Sequence, residues 1–438
     1  MKNKICIGLF GLGTVGTGVL KLFSANYNLI RQRIGSDIYI KKAVVRNPEK
    51  HLNCGLKPEN ITIDPDDILL DPEIDVIVEL IGGDTDAKEI TLKALKIGKS
   101  VVTANKALLA EHAAEIFPAA YASAGLFGYE ASVAGGIPVI RNLRDGFTGD
   151  DISEVSGIIN GTANYILTSM ADHGEDFDTA LKKAQELGFA EADPTFDIEG
   201  IDAAHKVAIL LNLSFNGLFE FKDIYVEGIT KIEPLDIEIA KEMGYTIKLI
   251  GKALCSDQGY QGRVHPALIK NNNLLASVKG AFNAILIKGN FLGPTISYGA
   301  GAGAYPTASA VVGDLVEIAR NINSEQKNRR YPLSTTNETL EHKKLISIDE
   351  IVSEYYLRFT VKDQVGVLAD ITRILGENNI SIRSMIQRSD NGNSNDLVPV
   401  VIITHSAVEK NIRKSLSEID LLPFILQSTR IIRIDSVT

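Results

Sequence analysis

The chain has 438 residues, 45% of them hydrophobic and 23% charged, with a formal net charge of −10. This is the composition of a soluble globular protein with roughly two to four cores, and its acidic balance excludes a nucleic-acid binder, which needs a basic stripe. No apolar run reaches the length of about eighteen residues that a spanning helix needs, and the three separated cysteines, Cys6, Cys54 and Cys255, make neither a metal-ligand spacing nor an even disulfide set, which points to a reducing cytoplasm.

Lys4 to Phe10 reads as a buried strand. Glycines at motif spacing break the apolar start, unlike the h-region of a signal peptide. Gly11-Leu12-Gly13-Thr14-Val15-Gly16 follows at once, and Thr17 to Ser24 reads as a helix. Strand, G-x-G-x-x-G, helix is the pattern that lets a backbone approach a pyrophosphate at a helix N-terminus; a glycine-rich turn without a ligand is the alternative. Ile38 to Val45 is a second strand, ending in Arg46-Asn47-Pro48-Glu49-Lys50 rather than in an acid. A guanidinium suits a ribose 2′-phosphate, so the site leans towards NADP over NAD.

Asp75 to Ile81 and Lys99 to Thr103 read as parallel strands around a helix at Ala87 to Ile97. Lys106 then stands just past a strand's carboxyl end, where open α/β sheets bind ligands. Ala119 to Gly125 reads as helical and Leu126 to Ala131 as a strand, completing a doubly wound pattern. Beyond the small-residue loop Ser132 to Pro138, Asp151 to Asn160 reads as a strand and Gly161-Thr162-Ala163-Asn164 as a helix start. Phe177 to Leu187 is a helix, and Asp223 to Glu227, Thr246 to Leu254, Tyr260 to Leu268 and Asn283 to Lys288 are strands of a largely antiparallel sheet.

Between them lies Gly188 to Lys206, GFAEADPTFDIEGIDAAHK, with Glu191, Asp193, Asp197, Glu199 and Asp202 ahead of Lys206. Asp202 and Lys206 are four apart, acid first, on what reads as a buried helix. A buried lysine needs a partner, and its pKa moves easily; a structural ion pair and a functional one remain open. Phe291 to Thr307 reads as a second glycine-rich loop, and Thr307 to Asn321 as a helix that returns to cover the first domain. Asn323 to Lys344 reads as a polar linker. From Tyr355 the order is strand, turn (Lys362 to Gly366), helix (Val367 to Asn378), strand (Ile380 to Gln387), polar loop (SDNGNSND), strand, helix (Glu409 to Ile419), strand, the ferredoxin-like β-α-β-β-α-β unit. The expected organisation is a Rossmann-type domain over 1–140, an α+β substrate and dimerisation domain over 141–325, a linker over 326–352 and a regulatory ferredoxin-like domain over 353–438.

Six separated motifs agree on one family: GLGTVG, TANKALLA at Thr103 to Ala110, GYEASVAGGIPVI at Gly128 to Ile140, GIINGTANYIL at Gly157 to Leu167, the Gly188 to Lys206 run, and GAGAGAYPTASAVVGDL. Together they resemble homoserine dehydrogenase over residues 1–325, and KDQVGVLADITRILGENNISI resembles an ACT domain. The start directly at the dinucleotide fold resembles the monofunctional form.

The resemblance implies NAD(P)-dependent interconversion of L-aspartate 4-semialdehyde and L-homoserine on the route to threonine and methionine. It implies Lys206 as proton donor, Lys106 as a second catalytic lysine bordering the nicotinamide, and Glu191 and Asp202 as substrate ligands. Cofactor contacts would come from Phe10, Gly11, Gly13, Thr14, Val15, Gly16, Arg46, Thr103, Lys106, Gly301 and Gly303. Glu130, Val133, Gly135 and Ile137 would form a sodium site, mostly through backbone groups. Val365, Gly366, Val367, Leu368, Asn378, Asn379 and Ile380 would bind an amino-acid effector, threonine, in a homodimer or homotetramer. Phe189 departs from the family's frequent tyrosine. Other oxidoreductases on this plan, or a non-catalytic amino-acid sensor, are the rival readings; an acyl-enzyme chemistry would need a nucleophilic cysteine.

Overall fold

The computed structural model describes every residue except 1, 3, 325–330, 337–339, 388–396 and 436–438. Six parallel strands form the first sheet: β1 (Lys4–Phe10), β2 (Asp37–Val44), β3 (Ile61–Thr62), β4 (Val76–Glu79), β5 (Ser100–Thr103) and β6 (Phe127–Gly128). Their order, β3-β2-β1-β4-β5-β6, reverses direction between β1 and β4. Such a switch point leaves a crevice at the carboxyl ends of the strands. β1, β4 and β5 are buried on both faces, which is why they read as near-continuous apolar runs.

One face is covered by α1 (Thr14–Ile34), whose Val19 and Phe23 join Ile5, Ile7 and Val76 in one core. The other is covered by α2 (Asp66–Leu69), α3 (Thr85–Lys96), α4 (Lys106–Glu111) and α5 (Ala113–Ala122). α1 runs ten residues past the predicted Ser24, because Ile30 and Ile34 continue its apolar stripe until Gly35, at φ 81°, ends it. The strand predicted over Leu126 to Ala131 is shorter. It gives way to a turn at Glu130–Ser132, where Asp314 accepts the Glu130 N–H at 2.9 Å.

After α6 (Val139–Arg141), the chain builds β7 (Ile152–Ile158), α7 (Gly161–His173), α8 (Phe177–Glu186), α9 (Thr195–Ile198) and α10 (Ile201–Ser214). Short strands β8 (Gly217–Leu218) and β9 (Tyr225–Val226) and α11 (Pro234–Glu242) precede the long hairpin of β10 (Tyr245–Ser256) and β11 (Gly259–Lys270). β12 (Phe282–Gly289) and β13 (Gly293–Ala300) complete an antiparallel run β13-β12-β7-β10-β11. β13 corrects the loop reading of this stretch: its glycines pair across β12, as Asn283 with Gly299. α12 (Ala304–Asn323) returns to the first domain. A Cβ on Gly18 would meet the Ala304 carbonyl at 2.7 Å, so α1 and α12 touch backbone to backbone.

The segment read as a linker is packed where it is described. β14 (Glu341–His342) pairs with β8, Leu333 is fully buried, and Pro332 and Thr335 carbonyls accept from Tyr129 and Tyr121. The C-terminal unit comprises β15 (Val352–Lys362), α13 (Val367–Glu377), β16 (Ile382–Gln387), β17 (Leu397–Thr404), β18 (Ala407–Val408), α14 (Glu409–Ile419) and β19 (Ile425–Asp435), in the order β19-β15-β17-β16. The polar loop SDNGNSND lies outside the described residues. β19 pairs in parallel with β11 through Ala267–Arg433 to Ile269–Asp435, so the two units share one continuous sheet. Charges inside this junction are matched: Asp236 accepts from Arg358 at 2.6 Å, and Lys252 bridges Glu154 and Asp435 at 3.0 Å each. Removing one partner of such a buried pair is costly.

Candidate active site

The nucleotide loop is built by its glycines. Gly11 has φ 95°, and a Cβ there would meet the Leu80 carbonyl at 2.7 Å; a Cβ on Gly16 would meet the Gly11 carbonyl at 2.2 Å. Gly13 meets nothing within 4 Å, so its backbone borders open space at the N-cap of α1. That is the division of labour a pyrophosphate-binding turn requires. Phe10, Gly11, Gly13 and Arg46 line a cavity of about 870 Å3, where Lys50 and Lys93 stand among the carboxylates of Asp64, Asp66, Asp86 and Glu89. Thr14, Val15 and Gly16 open the helix behind that wall. The volume fits a dinucleotide.

Thr103 lies at the carboxyl end of β5 and donates to Glu79 at 2.6 Å. Glu79 is fully buried, and burial pushes its carboxyl up against the hydrogen bonds from Thr103 and the Ile81 N–H. It ties β4, β5 and the Ile81 turn together, and sequence reading missed it. Asn105 caps α4 by accepting the Leu108 N–H at 3.1 Å, which fixes Lys106 as the first residue of the helix.

Gly200, in a left-handed conformation at φ 83°, starts α10, and a Cβ there would press Val264 at 3.1 Å. Asp202 and Lys206 then lie one turn apart and are both buried. Lys206 Nζ donates to Asp202 Oδ2 at 2.7 Å and to the Ile159 carbonyl at 2.7 Å. Lys106 Nζ reaches Asp202 Oδ1 at 3.1 Å. One carboxylate therefore joins the lysine of the dinucleotide domain to that of the second domain. Burial alone would raise the Asp202 carboxyl; Lys206, Lys106 and a hydrogen bond from Asn160 overcome it and hold it below the usual carboxylate range.

Asn160 was not singled out in the sequence. It caps α7 by accepting the Ala163 N–H, and its amide donates to Asp202 at 2.8 Å and Asp197 at 2.6 Å. Asp197 is therefore wired to the site; burial pushes its carboxyl up. Asp193 and Glu199 are structural, accepting from Thr195 and Thr230. Glu191 is exposed, and no side-chain contact ties it to Asp202. Phe189 stacks on Tyr165 at 4.9 Å.

Gly301 and Gly303 lie outside the nucleotide cavity's lining. Gly301 fits between Asn283 and Gly135, and Gly303 caps α12. Glu130 is buried, with both carboxylate oxygens accepting backbone N–H groups of Ile140 and Arg141 at 2.9 Å. Burial, and then Asp314, push it up to about 7. Val133 is fully buried beside the left-handed turn Ala134-Gly135, and Ile137 closes that turn onto the Ala134 carbonyl at 3.0 Å. The Arg141 guanidinium and the two backbone N–H groups oppose the rise at Glu130. Among the described residues no cluster of three His, Cys, Asp or Glu could hold a metal. Burial raises the Cys255 thiol, which is unsuited to nucleophilic work.

In the C-terminal unit, Gly366, Val367 and Leu368 open α13 behind the fully exposed Val365, while Asn378, Asn379 and Ile380 close it. The two groups are separated by the helix's length, about 16 Å at 1.5 Å per residue. One copy of the chain does not bring them together.

The fold and this site are those of a nicotinamide-dinucleotide oxidoreductase. Residues 138–316 match the family model for homoserine dehydrogenase, 11–130 its NAD binding domain and 355–420 the ACT domain. The chain is 43% identical to a homoserine dehydrogenase of Pseudomonas aeruginosa over 96% of both chains, and 43% identical to one of Neisseria gonorrhoeae over 99% of both. A crystal structure of a homoserine dehydrogenase from Thiobacillus denitrificans superposes with a TM-score of 0.93 at 44% identity over 99% of both chains. A hyperthermophilic archaeal homoserine dehydrogenase in complex with NADPH superposes at 0.61, with 26% identity over 74% of this chain and 100% of that one. The chain belongs to the homoserine dehydrogenase family.

Proposed function

We propose that the protein interconverts L-aspartate 4-semialdehyde and L-homoserine, with NADP(H) favoured over NAD(H), in threonine and methionine synthesis. The observation that carries this reading is the Lys106–Asp202–Lys206 bridge at 3.1 and 2.7 Å, beside the carboxyl edge of the nucleotide sheet. When bound, the nicotinamide supplies or receives the hydride. Lys206 holds a proton at the carbonyl oxygen as negative charge develops there. Lys106 stabilises the same oxygen from the cofactor side. Asp202 holds both ammonium groups in place and engages the substrate's amino group or hydroxyl, with Glu191 closing in from its exposed loop. Arg46 and Lys50 in the nucleotide cavity support the 2′-phosphate preference.

A sodium ion at Glu130, Val133, Gly135 and Ile137 would relieve the buried carboxylate. Threonine is the proposed effector; a site using both ends of α13 needs a second copy, in keeping with a homodimer or homotetramer. The absence, among the described residues, of a helix long and apolar enough to cross a membrane accords with a cytoplasmic location. Initial rates with homoserine and each cofactor, with and without threonine, test the reading. Turnover faster with NADP and slowed by threonine is expected; no turnover with homoserine refutes it.

A further inference from the structure

Lys248 on β10 is only 2% exposed, and among the described residues it forms no ion pair. Its ammonium donates to Asn164 Oδ1 at 2.9 Å and to the Val278 carbonyl at 2.5 Å. An ammonium has three N–H bonds, so one remains for a ligand. Lys248 lines a cavity of about 240 Å3 between α7, α11, β10 and the segment before β12. Lys241 and Lys279 line the same cavity, against one carboxylate, Asp172, which Lys279 holds at 2.9 Å. The wall therefore carries an excess of positive charge, and its buried member is uncompensated. Buried charges are normally paired.

We propose that this cavity is a binding site for a small oxyanion, which seats on the free N–H of Lys248 and is rimmed by Lys241 and Lys279. Asn271, whose Oδ1 accepts from Thr246, offers its amide N–H groups on the wall. The site shares no residue with the proposed catalytic groups, although Asn164 lies one turn along α7 from Asn160. Protonation supports the geometry. Burial pulls the Lys248 amine down to about 8, Lys279 adds to the pull, and Asp172 opposes it. Lys241 also borders the cavity, and the Tyr245 hydroxyl accepts from Arg383 at 3.3 Å. An anion facing the amine reverses the pull, so binding at pH 8 draws a proton onto Lys248.

Isothermal titration of the full chain with inorganic phosphate, and separately with acetate, tests this, with NADP saturating the nucleotide cavity. One site is expected, with uptake of up to about half a proton at pH 8, read from buffers of different ionisation enthalpy. Lys248→Met weakens binding about tenfold or more. Lys241→Ala with Lys279→Ala, on the exposed rim and so without risk to the fold, weakens it about fivefold. Tighter phosphate binding identifies a phosphoryl ligand, and tighter acetate binding a carboxylate. Binding of neither anion, or an unchanged affinity in the rim variant, overturns the proposal.

Discussion

Lys206 and Lys248 are both buried lysines of the second domain, and they meet burial differently. Lys206 faces Asp202 at 2.7 Å, and that carboxylate is further held by Lys106 and Asn160. Lys248 has only an amide oxygen and a carbonyl. The carboxylates repeat the contrast. Asp202 sits among cations and is held low, whereas Glu130 sits beside Asp314 and is pushed up to about 7. Burial penalises the charged form of Asp202, Glu130 and Lys248 alike, and the neighbouring charges decide whether that penalty is offset. The ion-paired groups converge where the two domains meet.

Exchanging the two lysines for methionine is the sharpest way to break this comparison. Lys206→Met is expected to lower turnover about a thousandfold, with cofactor affinity kept. Lys248→Met is expected to leave turnover within about twofold; steady-state kinetics and cofactor titration read both. Asp202→Asn removes the carboxylate that holds both ammonium groups in place. Turnover is expected to fall about a hundredfold, read by steady-state kinetics.

The unpaired groups should instead appear in stability. Lys248 stands near 8 in the fold against an ordinary 10.5. The unfolded chain then binds more protons across that window, so this group's contribution is present above 10.5 and lost as pH falls through 8, about 3 kcal/mol in all. Glu130 stands at about 7 against 4.5. Its contribution is present below 4.5 and lost as pH rises through 7, again about 3 kcal/mol. Denaturant titrations of Lys248→Met and Glu130→Gln against the parent should each lack one of these slopes, and sodium chloride in place of potassium chloride should flatten the Glu130 slope of the parent. The smallest effect is expected from Arg46→Ala, a rise in the NADP Michaelis constant of about fivefold with the NAD value unchanged.

Short-range features were legible in the sequence. The Gly11, Gly13 and Gly16 spacing states local backbone needs, and Asp202 with Lys206 lies within one helical turn. The C-terminal strand and helix order also follows from local periodicity. What was hidden depends on distant contacts. Asn160 meets Asp202 across 42 residues, and Glu79 meets Thr103 across 24. The pairing of β11 with β19 joins units that read as separated by a linker. β13 was hidden because glycines that pair across a neighbouring strand carry no apolar alternation.

Chemical rescue of Lys206→Ala by methylamine, followed as single-turnover reduction of aspartate semialdehyde, tests the role of Lys206 most directly. The expected result is a rate about a thousandfold below the parent that climbs with amine concentration while cofactor binding stays constant. A near-parental rate without amine would contradict it.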